Sequence, residues 1–292
     1  NIVMLIYGKQ FNRISHESYV KLGLEKIKTK YVGLVFEIEI NGNYIDFAAI
    51  IEFRSTKNDT LLNKLKQEIV EVVPIVSKRT DYYYLCKQIG NEITLLDKKV
   101  LLIGAGSLGS YIARELVKTG VRSLTVYDKE LLEEENLLRH TIGDLWVDCS
   151  KVFGLKCELE RIHPEIHINA VEKNIDKNLL VAEMKKADLI LFAVGSSTVQ
   201  WEMNKILKEQ KCNVKVIYTW LEAGGENSHI LSIDYNKQGC FQCLFTDEQG
   251  CLINNKANNV SEIDVEAYKI RNGCGGTRVA YGNAVLLRTT AV

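Results

Sequence analysis

Gly104-Ala105-Gly106-Ser107-Leu108-Gly109 is the stretch on which the fold turns. It follows the short apolar run 100–103 directly. It also opens a helical pattern over 107–119, in which Leu108, Ile112 and Leu116 share one face and Gly120 supplies the stop. A strand, a G-x-G-x-x-G turn and a helix in that order build a phosphate cradle. The first glycine makes the tight turn, the second lets the backbone approach a phosphate, and the third lets helix and strand pack closely. The helix start adds unpaired N–H groups and a positive dipole end. Glycines used only for helix–sheet packing would give the same hexapeptide. Asp128, at the tip of the next strand, favours the nucleotide reading, because a carboxylate there accepts hydrogen bonds from ribose hydroxyls. NAD and ATP sites share that feature.

Outward from the loop, strand and helix patterns alternate. Strands are expected at 124–127, 166–171, 189–194 and 214–220, and helices at 150–162, broken by Pro164, and at 198–208. This rhythm implies parallel pairing with right-handed crossovers, hence a Rossmann-like, doubly wound, mostly parallel α/β sheet. Ahead of it, 31–40 and 44–53 read as β-strands around the turn signal Asn41-Gly42-Asn43. Leu61, Leu62, Leu65, Ile69 and Val73 have helical spacing that ends near Pro74. Residues 80–96, with Tyr82-Tyr83-Tyr84, read as a polar connector. The expected division is therefore a small α+β module over 1–92, of unassigned role, and a Rossmann-like α/β domain over 93–292.

Composition excludes several classes. Lys plus Arg equals Asp plus Glu, 37 each, so no overall positive field recruits nucleic acid or an anionic membrane. The apolar fraction of 46% with 25% charged residues is that of a globular protein. The apolar opening, residues 1–7, is too short to span a bilayer and lacks the flanks of a signal peptide. A cytoplasmic location is expected. Eight cysteines then read as reduced thiols, a metal site or catalysis rather than a disulfide lattice. The chain begins without Met and stops inside an apolar helical pattern at 281–292, which suggests a fragment.

The residues after Asp128 separate the two nucleotides. Glu130, Asn136 and Arg139 follow it closely, and Lys151 opens the next helix. Each has a plain alternative, Asn136 as a cap and Arg139 and Lys151 on solvated faces. Together they suit an enzyme that breaks an α–β phosphoanhydride, since Arg and Lys neutralise charge that builds on phosphates. An NAD-dependent oxidoreductase leaves them unexplained.

Gly-x-Gly-Ser-Leu-Gly-Ser, Asp128, Asn136-Leu-x-Arg139, Lys151 and Arg161-Ile-x-Pro164 resemble the ThiF/MoeB family, the adenylating fold shared with ubiquitin-activating enzymes. The likeness covers about residues 92–292, with Lys151 one residue early. It implies binding of ATP and Mg, and adenylation of the C-terminal glycine of a ubiquitin-like or sulfur-carrier protein. It also implies a homodimer and, in many members, transfer of the acyl group to a cysteine. Carried over, Asp128 holds the ribose, Arg139 and Lys151 the phosphates, and Asn136 orients the reacting groups. With Gly104, Gly106, Ser107, Leu108, Gly109 and Glu130 these form the nucleotide-binding set. One departure is plain: the family's magnesium-binding Asp after the fourth strand falls on Gly195. A non-catalytic scaffold or regulatory half of the same fold is therefore the alternative.

Three further features stay open at this stage. Cys240-Phe-Gln-Cys243 is half of a four-ligand zinc site, or a pair of reduced structural thiols. Cys274, among glycines and flanked by Arg271 and Arg278, is the first choice for a thioester nucleophile, or a small residue in a tight turn. Trp220-Leu-Glu222-Ala-Gly224-Gly225 follows the fifth strand at the ligand-binding edge of the sheet, as a groove for a partner's tail or an ordinary closing loop. His163 and His167 are separated by Pro164 and share no helical face, and His16, His140 and His229 stand alone, so no histidine catalysis is expected.

Overall fold

The computed structural model describes residues 2–6, 26–40, 43–76, 78–258, 266–271 and 277–291. Its contacts separate two compact units, Asn1–Thr80 and Asp81–Val292. Among the described residues no helix is long and apolar enough to cross a membrane.

The first unit contains β1 (Ile2–Ile6), β2 (Lys26–Ile27), β3 (Tyr31–Ile40), β4 (Asn43–Phe53), β5 (Asp59–Thr60), helix α1 (Leu61–Gln67) and β6 (Ile69–Ile75). Four strands form an antiparallel sheet in the order β1-β3-β4-β6. Val32, Leu34, Ile51 and Phe53 from its central strands bury against Leu61 of α1. The turn signal between β3 and β4 lies partly outside the described residues, at 41–42. The helix expected to run toward Pro74 ends at Gln67, and residues 69–75 pair with β4 as a strand. The reason is β-branching. Ile69, Val70, Val72 and Val73 fit a pleated surface better than a helix, and cross-strand pairing overrides their helical spacing.

The second unit begins earlier than the sequence suggests. Residues 82–88 form a helix, α2 (Tyr82–Gln88), capped by Asp81, whose side chain accepts from Tyr84 N–H. Tyr82 and Cys86 are buried in the main core, and the Tyr82 ring stacks on His163 at 5.2 Å. This stretch is thus core rather than a connector, which is why the units divide after Thr80 and not at 92.

There follow β7 (Lys99–Ile103), α3 (Ser107–Thr119), β8 (Ser123–Tyr127), α4 (Lys151–Glu160), β9 (His167–Val171), α5 (Lys177–Met184), β10 (Leu189–Phe192), α6 (Ser197–Glu209) and β11 (Lys215–Leu221). The chain closes with β12 (Ser228–Ile233), the antiparallel pair β13 (Lys269–Arg271) and β14 (Thr277–Val279), and α7 (Asn283–Thr290). The sheet order is β12-β11-β10-β7-β8-β9, parallel except for β12. This is the expected Rossmann-like α/β architecture. Residues from α3 and α4 pack on one face, including Val117, Val152 and Leu155, and residues from α5 and α6 on the other, including Leu180, Met203 and Leu207. The order runs outward from β7 through β8 to β9, then restarts at β10 on the other side of β7. That reversal opens a crevice at the carboxyl ends of β7 and β10, where ligands bind in such sheets.

Candidate functional site

The phosphate loop leaves β7 at this reversal. Gly104 has φ of 98°, a left-handed conformation natural to glycine, and a Cβ there would lie 2.7 Å from the Ala193 carbonyl oxygen. A Cβ on Gly109 would lie 2.0 Å from the Gly104 carbonyl oxygen, so helix α3 could not pack so closely on the loop. Gly106 differs: its missing Cβ faces open space, leaving bare backbone at the start of α3. The three glycines therefore serve the turn, the ligand approach and the packing.

The Ala105 peptide is braced from both sides. Its N–H donates to Asp128 Oδ2 at 2.7 Å, and its carbonyl accepts from His140 Nε2 at 2.7 Å. His140 Nδ1 accepts from Ile142 N–H, which makes the ring a neutral donor at Nε2. Burial moves His140 down to about 4, so it stays neutral at ordinary pH. Asp128 Oδ1 accepts from Glu130 N–H at 2.8 Å. Burial raises the Asp128 carboxyl above its ordinary range, against the two backbone N–H bonds that lower it. Each of its oxygens keeps a lone pair for a ribose hydroxyl. The histidine was missed because nothing local marks it; only the fold brings residue 140 onto the loop.

Two cavities meet here. The larger, about 540 Å³, is lined by Gly104, Asp128, Ile175, Val199, Glu202 and Met203 among others. The smaller, about 200 Å³, is lined by Asn136, Arg139, Lys151, Thr219, Trp220 and Tyr281 among others. Gly106, Glu130, Val194 and Gly195 belong to both linings. The structure thus brings Asn136, Arg139 and Lys151 together beside the loop. It adds Thr219 and Tyr281, which carry no motif in the sequence.

A short 3₁₀ turn, Glu134–Arg139, presents Asn136 and Arg139. Arg139 donates from Nη2 to Asn136 Oδ1 at 3.1 Å and from Nη1 to the Tyr281 hydroxyl at 3.2 Å, with its guanidinium 5.7 Å from the Tyr281 ring centre. Among the described residues its buried Nε has no hydrogen-bond partner. Lys151 is the first residue of α4 and is 4% exposed. Its Nζ lies 2.6 Å from Glu130 Oε2, and the Glu130 side chain is largely exposed. A buried ammonium needs an anionic partner. Here that partner stands at the solvent end, where phosphate oxygens could replace it.

At Gly195, among the described residues, no heavy atom beyond its chain neighbours lies within 4 Å of where a Cβ would sit. Glu130 is the carboxylate that lines both cavities, so a divalent cation arriving with a triphosphate would find it there. The Cys240 and Cys243 sulfurs lie 3.9 Å apart, close to the edge of a tetrahedron with Zn–S arms of about 2.3 Å. Burial raises the Cys240 thiol, but hydrogen bonds from its neighbours and the Lys208 charge outweigh it, and the net direction is down. Among the described residues no cluster of three metal-ligating side chains occurs. A zinc site needs four ligands, and the described residues bring no others to this pair. Cys274 lies outside the described residues, between the paired strands β13 and β14.

At the sheet edge, the buried Glu222 carboxylate accepts from Asn227 Nδ2 at 3.2 Å and contacts His229 Nε2 at 2.5 Å. The Trp220 ring stacks on His229 at 4.7 Å. A third cavity of about 730 Å³, lined by Leu138, Gly224, Tyr268 and others, shares Arg139 and Tyr281 with the 200 Å³ cavity. The edge noted in the sequence therefore does lead to the cationic cavity.

Fold and site together define a nucleotide-binding α/β domain with a cationic pocket beside its phosphate loop. The chain belongs to the ThiF family, whose model matches residues 87–277. It is 26% identical over 182 residues to the ATP-dependent ubiquitin transferase-like protein Cap2 of Pseudomonas aeruginosa (strain BWHPSA011 / Pa011), covering 60% of this chain and 32% of that protein. It is 33% identical over 111 residues to the molybdopterin-synthase adenylyltransferase of Escherichia coli (strain K12), covering 38% of this chain and 45% of that one. Among solved structures, E. coli MccB with succinimide is similar at a TM-score of 0.52 and 18% identity, over 73% of this chain and 61% of that chain. This last likeness is one of fold. The chain spans about a third of the length of the Cap2 relatives it matches.

Proposed function

We propose that the chain adenylates the C-terminal glycine carboxylate of a ubiquitin-like or sulfur-carrier protein, with ATP as co-substrate. The observation that carries this reading is the gathering of Asn136, Arg139 and Lys151 on a small cavity continuous with the phosphate loop. A dinucleotide site has no use for two cations there. An α–β phosphoanhydride under attack does.

In this reading the nucleoside occupies the 540 Å³ cavity, with Asp128 on the ribose. The tail enters along Trp220, Gly224 and Tyr281. A carboxylate oxygen attacks the α-phosphorus, the bond from α-phosphorus to the bridging oxygen breaks, and pyrophosphate leaves with the electron pair. Lys151 exchanges Glu130 for phosphate oxygens, and Arg139 neutralises charge on the same group. A divalent cation, when bound, shields phosphate charge, and Glu130 is the carboxylate in place to hold it. The Cys274 thiolate then attacks the acyl carbon and AMP departs, giving a thioester. A homodimer, as the family resemblance implies, is part of the proposal. The names of the relatives, an adenylyltransferase and a ubiquitin transferase-like protein among them, agree with it.

Gly195 supports a second reading, a half that binds nucleotide without turning it over. ATP–pyrophosphate exchange dependent on a small Gly-ending protein separates the two. We expect exchange in wild type and a loss of about 10²–10³-fold in Arg139→Ala and in Lys151→Ala. Exchange that survives both changes refutes the site. Nucleotide binding without exchange across a panel of Gly-ending proteins favours the second reading. Cys274→Ala should abolish the thioester and retain exchange; a thioester that persists removes Cys274 from the mechanism.

A further inference from the structure

The boundary between two of the cavities is itself a polar contact. The cavities of about 200 Å³ and 730 Å³ share Arg139 and Tyr281 in their linings. These side chains touch. Arg139 Nη1 donates to the Tyr281 hydroxyl at 3.2 Å, and the guanidinium lies 5.7 Å from the ring centre. Arg139 Nη2 donates to Asn136 Oδ1 at 3.1 Å. Both terminal nitrogens of the cation therefore rest on neutral acceptors at the boundary. A ligand that spans the two cavities has to pass this contact.

The two partners are anchored unequally. Tyr281 is tied down on either side along the chain. Ala280 N–H donates to the Tyr268 carbonyl at 2.8 Å, and the Ala280 carbonyl accepts from Gly224 N–H at 2.9 Å. Two residues on, Asn283 Oδ1 accepts from the Tyr111 hydroxyl at 2.8 Å. Tyr281 also packs against the cluster of Leu108, Tyr111 and Leu286. Arg139, by contrast, is the last residue of its 3₁₀ turn, and its long stem has several rotatable bonds. Opening the contact moves Arg139 and leaves Tyr281 in place.

Hydrogen bonds to a charged group are among the stronger ones, so a ligand that needs this guanidinium must first outcompete the tyrosine hydroxyl. We infer that the Arg139–Tyr281 contact is a latch that the incoming protein tail opens, releasing Arg139 to the nucleotide phosphates. A nucleotide that arrives alone gives up part of its affinity to free Arg139, and one that follows the tail does not. The two ligands then bind with positive coupling, each strengthening the other by the same factor. Tyr281 is a positioning residue that acts through Arg139. This inference rests on the proposed reading that a protein tail enters past Tyr281.

The experiment measures the affinity of the whole chain for α,β-methylene-ATP, which resists α–β cleavage, with and without excess of a pentapeptide ending in Gly-Gly. Wild type should bind the analogue about tenfold more tightly with the peptide. Tyr281→Phe keeps the ring and loses the hydroxyl. Without peptide it should bind the analogue more tightly than wild type does, and the peptide should then add less than about twofold. That gain should vanish in an Arg139→Ala background, because it passes through that side chain. A tyrosine needed only for packing would give the opposite sign, a loss of affinity. The inference is overturned if the peptide has no effect on wild type, or if Tyr281→Phe alone binds the analogue no better than wild type. It is equally overturned if the gain survives in Arg139→Ala. Parallel ATP–pyrophosphate exchange assays keep the two claims apart. Exchange in wild type, with coupling untouched by Tyr281→Phe, removes the latch alone. Tyr281-dependent coupling without exchange leaves the latch standing and removes the adenylation.

Discussion

The two cavities that meet at Gly106, Glu130 and Gly195 are built in different ways. The larger is a backbone construction: a glycine turn, a helix start and a strand-tip carboxylate, all within one β7-α3-β8 unit, closed by apolar side chains of α6. The smaller is a side-chain construction, with Asn136 and Arg139 from a 3₁₀ turn, Lys151 from α4, Thr219 and Trp220 from β11 and Tyr281 from the segment before α7. The first presents backbone N–H groups that any phosphate can use. The second carries the charge and the donors on which the proposed reaction depends. Damage to the first should therefore remove binding outright, whereas changes to the second should alter chemistry and leave the fold intact.

The sharpest way to break this contrast is Gly109→Ala. Its Cβ would sit 2.0 Å from a carbonyl oxygen of the loop. We expect a stability loss on the order of 4 kcal/mol and no measurable nucleotide affinity, read by urea unfolding and calorimetry. Gly106→Ala, whose Cβ meets nothing, should cost less than about 1 kcal/mol in stability. Equal losses in the two variants would show that the loop glycines act alike.

A second effect joins the cavities. His140 follows the turn that carries Arg139, yet it braces the Ala105 carbonyl in the loop. Its folded value of about 4 lies below the ordinary 6.5, so the unfolded chain takes up the proton first as pH falls. The stability contributed by neutral His140 is whole above pH 6.5 and is lost on descending to pH 4, amounting to about 3 kcal/mol. His140→Gln keeps a donor but cannot titrate, and its stability should lack this portion of the pH dependence. Coincident pH profiles for the two proteins would exclude the assignment.

The smallest effect tests the shared rim. Gly195→Asp adds a carboxylate at a position where a Cβ meets no described atom within 4 Å beyond its chain neighbours, so stability should change by less than about 0.5 kcal/mol. Without Mg²⁺ the new charge repels a triphosphate, and with Mg²⁺ it can help hold the cation. The ratio of ATP affinity with Mg²⁺ to that in chelator should rise about tenfold over wild type, or about 1.4 kcal/mol. An unchanged ratio would mean that residue 195 does not face the metal-bearing phosphates.

The legibility of the sequence follows the same division. Gly104–Gly109, Asp128 and the strands β7 to β11 were readable because turn chemistry and apolar periodicity act over a few neighbouring residues. The strand β6 was not, since its β-branched residues also happened to fall at helical spacing, and only pairing with β4 decides between the two. Helix α5 went unread, although Asp176 caps it through Leu179 N–H, because its apolar residues Leu179 to Ala182 run consecutively and show little helical period. The Tyr82 segment looked like a connector until its ring was placed against His163.

By itself, then, the sequence determined a phosphate loop on a parallel sheet and nominated Asn136, Arg139 and Lys151 as its companions. It also exposed the missing carboxylate at Gly195. Only the tertiary structure decided that those three share a cavity, that His140 holds the loop from behind, and that Thr219 and Tyr281 belong to the site. The physical reason is range. Backbone turns and helix starts are settled by local sterics and hydrogen bonds, whereas a cavity is made by side chains far apart in the chain, brought together only by the packing of a whole core.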